Sequence, residues 1–168
     1  IRRRNAILNG INSIFKTALT CETEEELGRA CLAIADEVTQ SKFGFIAETG
    51  LDGLLHDIAI SDPGWELCKM EDKTGHRRPP GNFKLHGIYG RVVLDGKPFF
   101  TNDPASHPDR IGTPEGHPHL EAFLGVPLFH GGKTIGMIAV GNREGGYHQE
   151  ELESLEALAP AVVEAIQR

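Results

Sequence analysis

The sequence predicts an α+β fold, in which helices pack on the faces of an antiparallel sheet. Apolar residues recur at helical spacing near both ends of the chain, and short strand-like runs lie between these stretches. Turns of hairpin length join neighbouring runs, which favours antiparallel pairing. A chain of 168 residues has the usual length of one domain, so we expect a single domain over residues 1–168.

Two amphipathic helices are predicted at the amino-terminal end. Residues 5–19 carry an apolar stripe at helical spacing, formed by Ile7, Ile11, Ile14 and Ala18. Thr23 followed three residues later by Glu26 is the pattern of a capping box, which predicts the start of a second helix. Cys31 lies on the apolar stripe of that helix, and we interpret it as a small buried residue.

Two strands are predicted next, over residues 43–47 and 54–60, because apolar and β-branched residues are bounded there by glycine and aspartate turns. The periodic pattern then breaks up between residues 61 and 83. A shorter amphipathic helix follows over residues 85–94. This part of the chain therefore combines two strands with an irregular segment.

A brief strand at residues 98–102 precedes a loop over residues 103–119, which contains four prolines and three histidines. Loops of this length without secondary structure are uncommon unless they are functional. The clearest hairpin pairs residues 123–129 with residues 134–140 across a glycine turn. A long helix starting near His148 completes the pattern.

Composition excludes several functional classes. The net charge of −7 argues against binding of nucleic acid or an anionic membrane, since both require a basic face. Three cysteines without a CxxC pair indicate reduced thiols in a cytoplasm.

GxSxG, P-loop, HExxH and dinucleotide-binding motifs are absent, so we do not expect an enzyme. Because the chain starts at Ile1 and ends within a helical pattern at Arg168, we expect a domain excised from a longer multidomain protein.

Two segments resemble the GAF domain family. Residues 125–128, a glycine turn and residues 135–142 resemble the VPL and IGVL hairpin of that family. Residues 90–98 together with residues 101–103 resemble its helix, turn and strand beside the ligand chamber. The resemblance extends over essentially the whole chain.

The resemblance implies a central antiparallel sheet of five or six strands. The first, second and last helices would cover one face, and the irregular segment 61–119 would form a ligand chamber on the other. Members of the family bind cyclic nucleotides, tetrapyrroles or small metabolites, and usually control an output domain on the same chain. We therefore expect a cytoplasmic sensor that binds a small molecule and relays its occupancy through the terminal helices, for example to the histidine kinase of a two-component system.

The resemblance also indicates where ligand contacts lie. The expected apolar walls and polar groups are Trp65, Cys68, Phe83, His86, Tyr89, Arg91, Phe100, Asn102, Asp103, Phe123 and Met137. Phe45 is a further candidate for the wall. Arg91 suits an anionic ligand, or it pairs with Asp95 one helical turn later.

Two alternatives stay open for the function. A heme sensor would use Cys68 and a histidine, with His86, His107, His117 and His119 as candidates. A ligand-free module would act only by dimerisation and relay through its terminal helices. The apolar stripes of these helices exceed what one sheet face needs, so we predict a parallel homodimer through them. The late Cys-His pair of bilin-binding relatives is absent, and the loop histidines lack the spacing of a known metal site.

Overall fold

The computed structural model describes residues 2–49, 55–60, 82–83, 92–103 and 121–167. Within these residues, helices α1 to α3 run over Arg2–Ala18, Glu24–Thr39 and Gln149–Ile166. Strands β1 to β6 run over Phe43–Thr49, Leu55–Ile60, Asn82–Phe83, Phe99–Thr101, Phe123–His130 and Lys133–Gly141. Residues 92–95 form a further helical turn at the end of the predicted helix 85–94. The rest of that helix, and most of the two predicted irregular segments, lie outside the described residues.

All six strands form one antiparallel sheet in the order β3-β2-β1-β6-β5-β4. The predicted α+β fold is therefore confirmed, with a sheet of six strands. Strand β3 adds to the edge of β2 from a stretch that the sequence left irregular. The predicted hairpin is formed by β5 and β6, and its turn contains Gly131 and Gly132 at φ values of 60° and 79°. This left-handed conformation favours glycine, which explains the glycine pair.

The two helices that pack on the sheet begin at well-defined caps. The hydroxyl of Thr23 accepts a hydrogen bond from the N–H of Glu26 at 3.1 Å, as the sequence predicted, and the Glu26 carboxylate accepts the N–H of Glu22 at 3.1 Å. At α3, the N–H of His148 donates to Oε1 of Glu151 at 2.8 Å. These bonds satisfy N–H groups that a helix start leaves unpaired, so both helices begin at fixed positions.

Helices α2 and α3 lie on one face of the sheet, and α1 packs across both of them as a second layer. A Cβ atom at Gly10 of α1 would lie 2.9 Å from Cγ2 of Ile34 and 3.3 Å from Cδ2 of Leu158, so glycine permits this close approach. The guanidinium of Arg3 lies 3.7 Å from the carboxylate of Glu153. Because Arg3 and Gly10 meet successive positions along α3, helices α1 and α3 run parallel.

The main core lies between the sheet and the helices α2 and α3. Alternate residues of the central strands point into it, among them Ile46, Leu124 and Ile138. They pack against fully buried helix residues such as Leu32 and Leu155. Since side chains alternate along a strand, the remaining residues of these strands face away from the helices.

Cys31 is 1% exposed in this core, which confirms its interpretation as a buried residue. Burial raises the pKa of its thiol from an ordinary value of 9.0 to about 12, and the nearby Cys21 thiol adds to the shift. A low-dielectric surrounding disfavours the thiolate, so Cys31 stays protonated and unreactive at neutral pH.

We expect the free energy of unfolding to fall as the pH rises above 9. The folded pKa of Cys31 lies above the unfolded one, so the stability contributed by the neutral thiol is complete below pH 9 and is lost between pH 9 and about 12. At pH 10 the loss should reach about 1.4 kcal/mol. Urea unfolding at pH 8 and pH 10 should show this loss in the wild type and in Cys21→Ala. The loss should be much smaller in Cys31→Ala, in which Tyr147 keeps a raised pKa. An equal loss in Cys31→Ala would contradict the assignment.

Candidate functional site

The sheet face opposite α2 and α3 is also apolar. Its buried residues are Ala47, Val92, Val93, Phe123, Met137 and Ala139, with Phe45 and Phe99 packed against them in half-buried positions. Strand register places Phe45 beside Ala139 and Ala47 beside Met137. We call this set the chamber-face cluster. A sheet with two apolar faces requires cover on both; among the described residues, α2 and α3 cover one face, and the helical turn of residues 92–95 lies on part of the other.

Gly125 allows the helical turn of residues 92–95 to lie directly on β5. A Cβ atom at Gly125 would lie 2.9 Å from Cγ2 of Val92 and 2.9 Å from Cζ of Phe123. Phe99 of the edge strand β4 aligns with Gly125, and its ring centroid lies 6.2 Å from that of Phe123. That separation is in the range of favourable aromatic pairs, so β4 and the helical turn form one apolar wall.

The edge strand β4 leads into a tight contact with the β6–α3 loop, residues 142–148. Nδ2 of Asn102 donates to the carbonyl of Tyr147 at 2.9 Å, and Oδ1 of Asn102 accepts from the N–H of Tyr147 at 2.7 Å. Gly146 has φ 82°, and a Cβ atom there would lie 2.7 Å from Oδ1 of Asn102. The carboxamide is thus in close contact with the loop backbone immediately before α3.

Asn142 makes an equivalent contact to the start of β5. Its Oδ1 accepts the N–H groups of Glu121 and Ala122 at 2.7 and 3.2 Å, and its own N–H donates to the carbonyl of Ala122 at 3.0 Å. Asn142 has φ 60°, a left-handed conformation that asparagine tolerates better than most residues. Residues on both sides of segment 104–120 are therefore bonded to the β6–α3 loop.

Tyr147 is fully buried and begins a chain of hydroxyl groups that reaches the end of α2. Its hydroxyl lies 2.6 Å from Oγ of Ser41, which lies 2.7 Å from Oγ1 of Thr39. Thr39 donates its only hydroxyl proton to the carbonyl of Ala35, so Ser41 donates to Thr39 and Tyr147 donates to Ser41. Burial raises the pKa of Tyr147 above its ordinary value of 10.0, which keeps this donor protonated.

A polar cleft of about 600 Å³ lies on the helix side of the domain, between α1, the end of α2 and the start of α3. Arg143 lines it, and its guanidinium donates to Oε1 of Gln40 at 3.1 Å and to the carbonyl of Gly146 at 2.9 Å. The Glu151 carboxylate lies 4.0 Å away. Arg143 therefore serves to hold the β6–α3 loop to α2, and we do not take this cleft as the ligand site.

The predicted wall residues divide between the two faces. Phe123 and Met137 lie in the chamber-face cluster, and their contact with a ligand stays a prediction. Phe100 packs against the main core instead, because side chains alternate along β4 and Phe99 occupies the chamber face. Sequence reasoning did not single out Phe99, since a strand of three residues carries no periodic signal that tells which of two adjacent phenylalanines packs against the chamber-face cluster.

The predicted polar groups have different surroundings. Asn102 is engaged with the backbone of Tyr147, and Asp103 is exposed. The other predicted contacts lie outside the described residues, namely Trp65, Cys68, His86, Tyr89, Arg91, His107, His117, His119 and the side chain of Phe83. Among the residues that are described, no three His, Cys, Asp or Glu side chains are grouped as a metal ion requires. None of the described helices has both the length and the apolar composition needed to cross a membrane.

Residues 21–167 match the family model of the GAF domain. The chain belongs to the GAF domain family. A curated relative of this GAF domain is the methyl sulfide methyltransferase-associated sensor of Methanosarcina acetivorans, which is 34% identical over 136 residues. The match covers 80% of this chain and 13% of that protein, so the chain spans a small part of its relative's length.

Solved structures share the GAF fold. The GAF domain from a phosphoenolpyruvate-protein phosphotransferase of Coxiella burnetii has a TM-score of 0.78 at 18% identity, over 96% of this chain and 92% of that one. Free methionine-R-sulfoxide reductase from Neisseria meningitidis, in complex with its substrate, has a TM-score of 0.71 at 14% identity, over 96% of this chain and 88% of that one. At such identities these likenesses concern the fold alone.

Proposed function

We propose that this GAF domain is the sensory module of a longer, cytoplasmic signal-transduction protein. It binds a small molecule against the chamber-face cluster, and occupancy acts through the terminal helices on an output domain such as a histidine kinase. The observation that carries the proposal is the second apolar face of the sheet, on the side away from α2 and α3. A curated relative with the word sensor in its name, of which this domain would be a small part, supports it.

The chemistry of the chamber-face cluster favours a ligand with an apolar or aromatic body. The side chains of the chamber-face cluster are aliphatic, aromatic or thioether groups, and Phe45 and Phe99 are half-buried rings that can pack against a ligand. Ala47 and Ala139 have small side chains, which leave space for a ligand above the centre of this face. The polar contacts that orient a ligand are expected from residues such as His86 and Arg91.

A binding role suits the described thiols better than catalysis does. Cys31 is buried in the main core and Cys21 packs against the same core, on the opposite side of the sheet from the chamber-face cluster. The raised pKa of Cys31 removes it as a nucleophile at neutral pH. We therefore propose sensing without catalysis, although a reductase shares the fold.

The course of the terminal helices supports relay along the domain axis. Because α1 and α3 run parallel, α1 starts at the end of the domain where α3 starts, and α3 finishes at the opposite end. Leu8 of α1 and Leu19, which directly follows this helix, are 53% and 78% exposed. Their exposure supports a homodimer through α1, and the homodimer stays a prediction.

Native mass spectrometry of the purified domain, compared with its denatured mass, tests the proposal. We expect a retained small molecule, whose affinity falls about tenfold in Phe45→Ala and in Phe99→Ala because each loses part of a buried ring contact. Phe15→Ala on α1 is the matched control, since it removes a half-buried ring from the helix side, and it should leave the affinity unchanged.

Each outcome of this experiment has a distinct meaning. A retained mass with a Soret absorption band would identify the heme alternative. No retained mass and no visible absorption would favour the ligand-free relay module. Equal loss of affinity in Phe15→Ala and Phe99→Ala would show that the chamber-face cluster is not the binding surface.

A further inference from the structure

The β6–α3 loop joins the strand ends at one end of the sheet to the helix layer. It holds the end of β4 through Asn102 and the start of β5 through Asn142. On the helix side it holds α2 through the hydroxyl of Tyr147, and it leads directly into the cap of α3 at His148. Any displacement of β4 is thus transmitted to a loop that is already part of the main core.

A short stretch of backbone links the chamber-face cluster to Asn102. Val92 and Val93 are buried in that cluster, and Phe99 packs against it from β4. Asn102 follows Phe99 by three residues. A ligand that shifts the helical turn or β4 therefore moves the carboxamide, because an extended backbone of this length transmits displacement with little slack.

The contact between Asn102 and Tyr147 is specific enough to transmit such a movement. Two hydrogen bonds in opposite directions fix both the position and the orientation of the carboxamide. Gly146 holds its backbone against the carboxamide oxygen, with room for no side chain. Strands β1, β6 and β5 are paired by hydrogen bonds over most of their length. A movement transmitted through the sheet would have to distort these hydrogen bonds, so the sheet is the stiffer route.

We propose that Asn102 is the relay residue of this GAF domain, which couples the chamber face to the start of α3 through the backbone of Tyr147. The inference rests on the sensory role proposed above and specifies its route. Asn102 acts on α3 as a positioning residue, through the β6–α3 loop. The movement of β4 would pass to α3 through the backbone at the end of the sheet. The rival route runs through the sheet, across β5 and β6, and does not involve Asn102.

A double-mutant cycle read by hydrogen exchange tests this route with no ligand added. Phe99→Ala perturbs the chamber face, and Asn102→Ala cuts the relay. The readout is the exchange of the Glu151 and Leu152 amides, which both donate to the carbonyl of His148 in the first turn of α3. The Ile138 amide in the centre of the sheet monitors global unfolding in every variant, and Phe99→Leu serves if Phe99→Ala does not fold.

In the wild-type background, we expect Phe99→Ala to raise the exchange rates of the Glu151 and Leu152 amides about tenfold, measured relative to the rate of Ile138. In the Asn102→Ala background, the same substitution should raise these relative rates less than twofold. Gly146→Ala should also uncouple them, since its Cβ would displace the carboxamide. Gly145→Ala is the matched control, because Gly145 has φ 83° against 82° for Gly146 but would place its Cβ no closer than 3.9 Å to Arg143. The tenfold effect should therefore survive in Gly145→Ala.

Two results would overturn the relay. One is an effect of Phe99→Ala that is as large in the Asn102→Ala background as in the wild type, which would establish the route through the sheet. The other is no effect of Phe99→Ala on α3 in the wild type. Because the cycle needs no ligand, either result leaves the binding role to be decided by its own mass-spectrometric test.

Discussion

Replacement of Tyr147 by alanine is expected to lower the free energy of unfolding by about 4 kcal/mol. The side chain is fully buried in the main core, so its removal leaves a cavity between the sheet and the helices. The same substitution removes the hydrogen bond to Ser41, one of the contacts that hold the β6–α3 loop to the end of α2. Urea unfolding followed by far-ultraviolet circular dichroism at neutral pH measures the loss.

Tyr147→Phe is the matched control for this prediction. It keeps the ring and removes only the hydroxyl, so we expect a loss of about 1 kcal/mol, the usual contribution of one hydrogen bond. The structure thus assigns most of the stabilisation to packing and the remainder to the hydroxyl chain. Losses of equal size in Tyr147→Phe and Tyr147→Ala would contradict this division.

Gly136→Ala is expected to cost about 3 kcal/mol, because the centre of the sheet has no room for a methyl group there. A Cβ atom at Gly136 would overlap the carbonyl oxygen of Ala47 and lie 2.9 Å from Cα of Glu48. Both are backbone atoms of β1, so a side-chain rotation cannot relieve the clash. Strands β1 and β6 would have to separate at the middle of the sheet.

Gly132→Ala, in the turn of the same hairpin, is the control for Gly136→Ala. It changes a glycine with a left-handed backbone and creates no steric clash, so it measures the conformational cost alone. Gly132 has φ 79° and no atom within 4 Å of the position of its Cβ, so the cost should be about 1 kcal/mol from the left-handed conformation alone. Urea midpoints of the two variants give the comparison. A cost in Gly136→Ala no larger than that in Gly132→Ala would show that β1 and β6 can separate easily.

Local pattern was sufficient for the order and type of most of the described elements, whereas strand β3 was not predicted. The helical stripe around Ile14, the cap at Thr23 and the glycine turn of the β5–β6 hairpin depend on residues a few positions apart, and all three are present in the structure. Short-range steric and hydrogen-bonding preferences act before the chain has packed, so they can be read from neighbouring residues.

Only the tertiary structure decided which face each residue occupies and which partners it contacts. It placed Phe99 on the chamber face and Phe100 in the main core, because the register of β4 on β5 depends on the whole sheet. It put α1 in a second layer, because α2 and α3 cover the sheet face. It also joined Asn102 to Tyr147, two residues separated by 45 positions in the chain. The sequence by itself determined an α+β sensor-like domain, whereas this long-range contact, on which the proposed relay depends, arises only when folding brings distant backbone together.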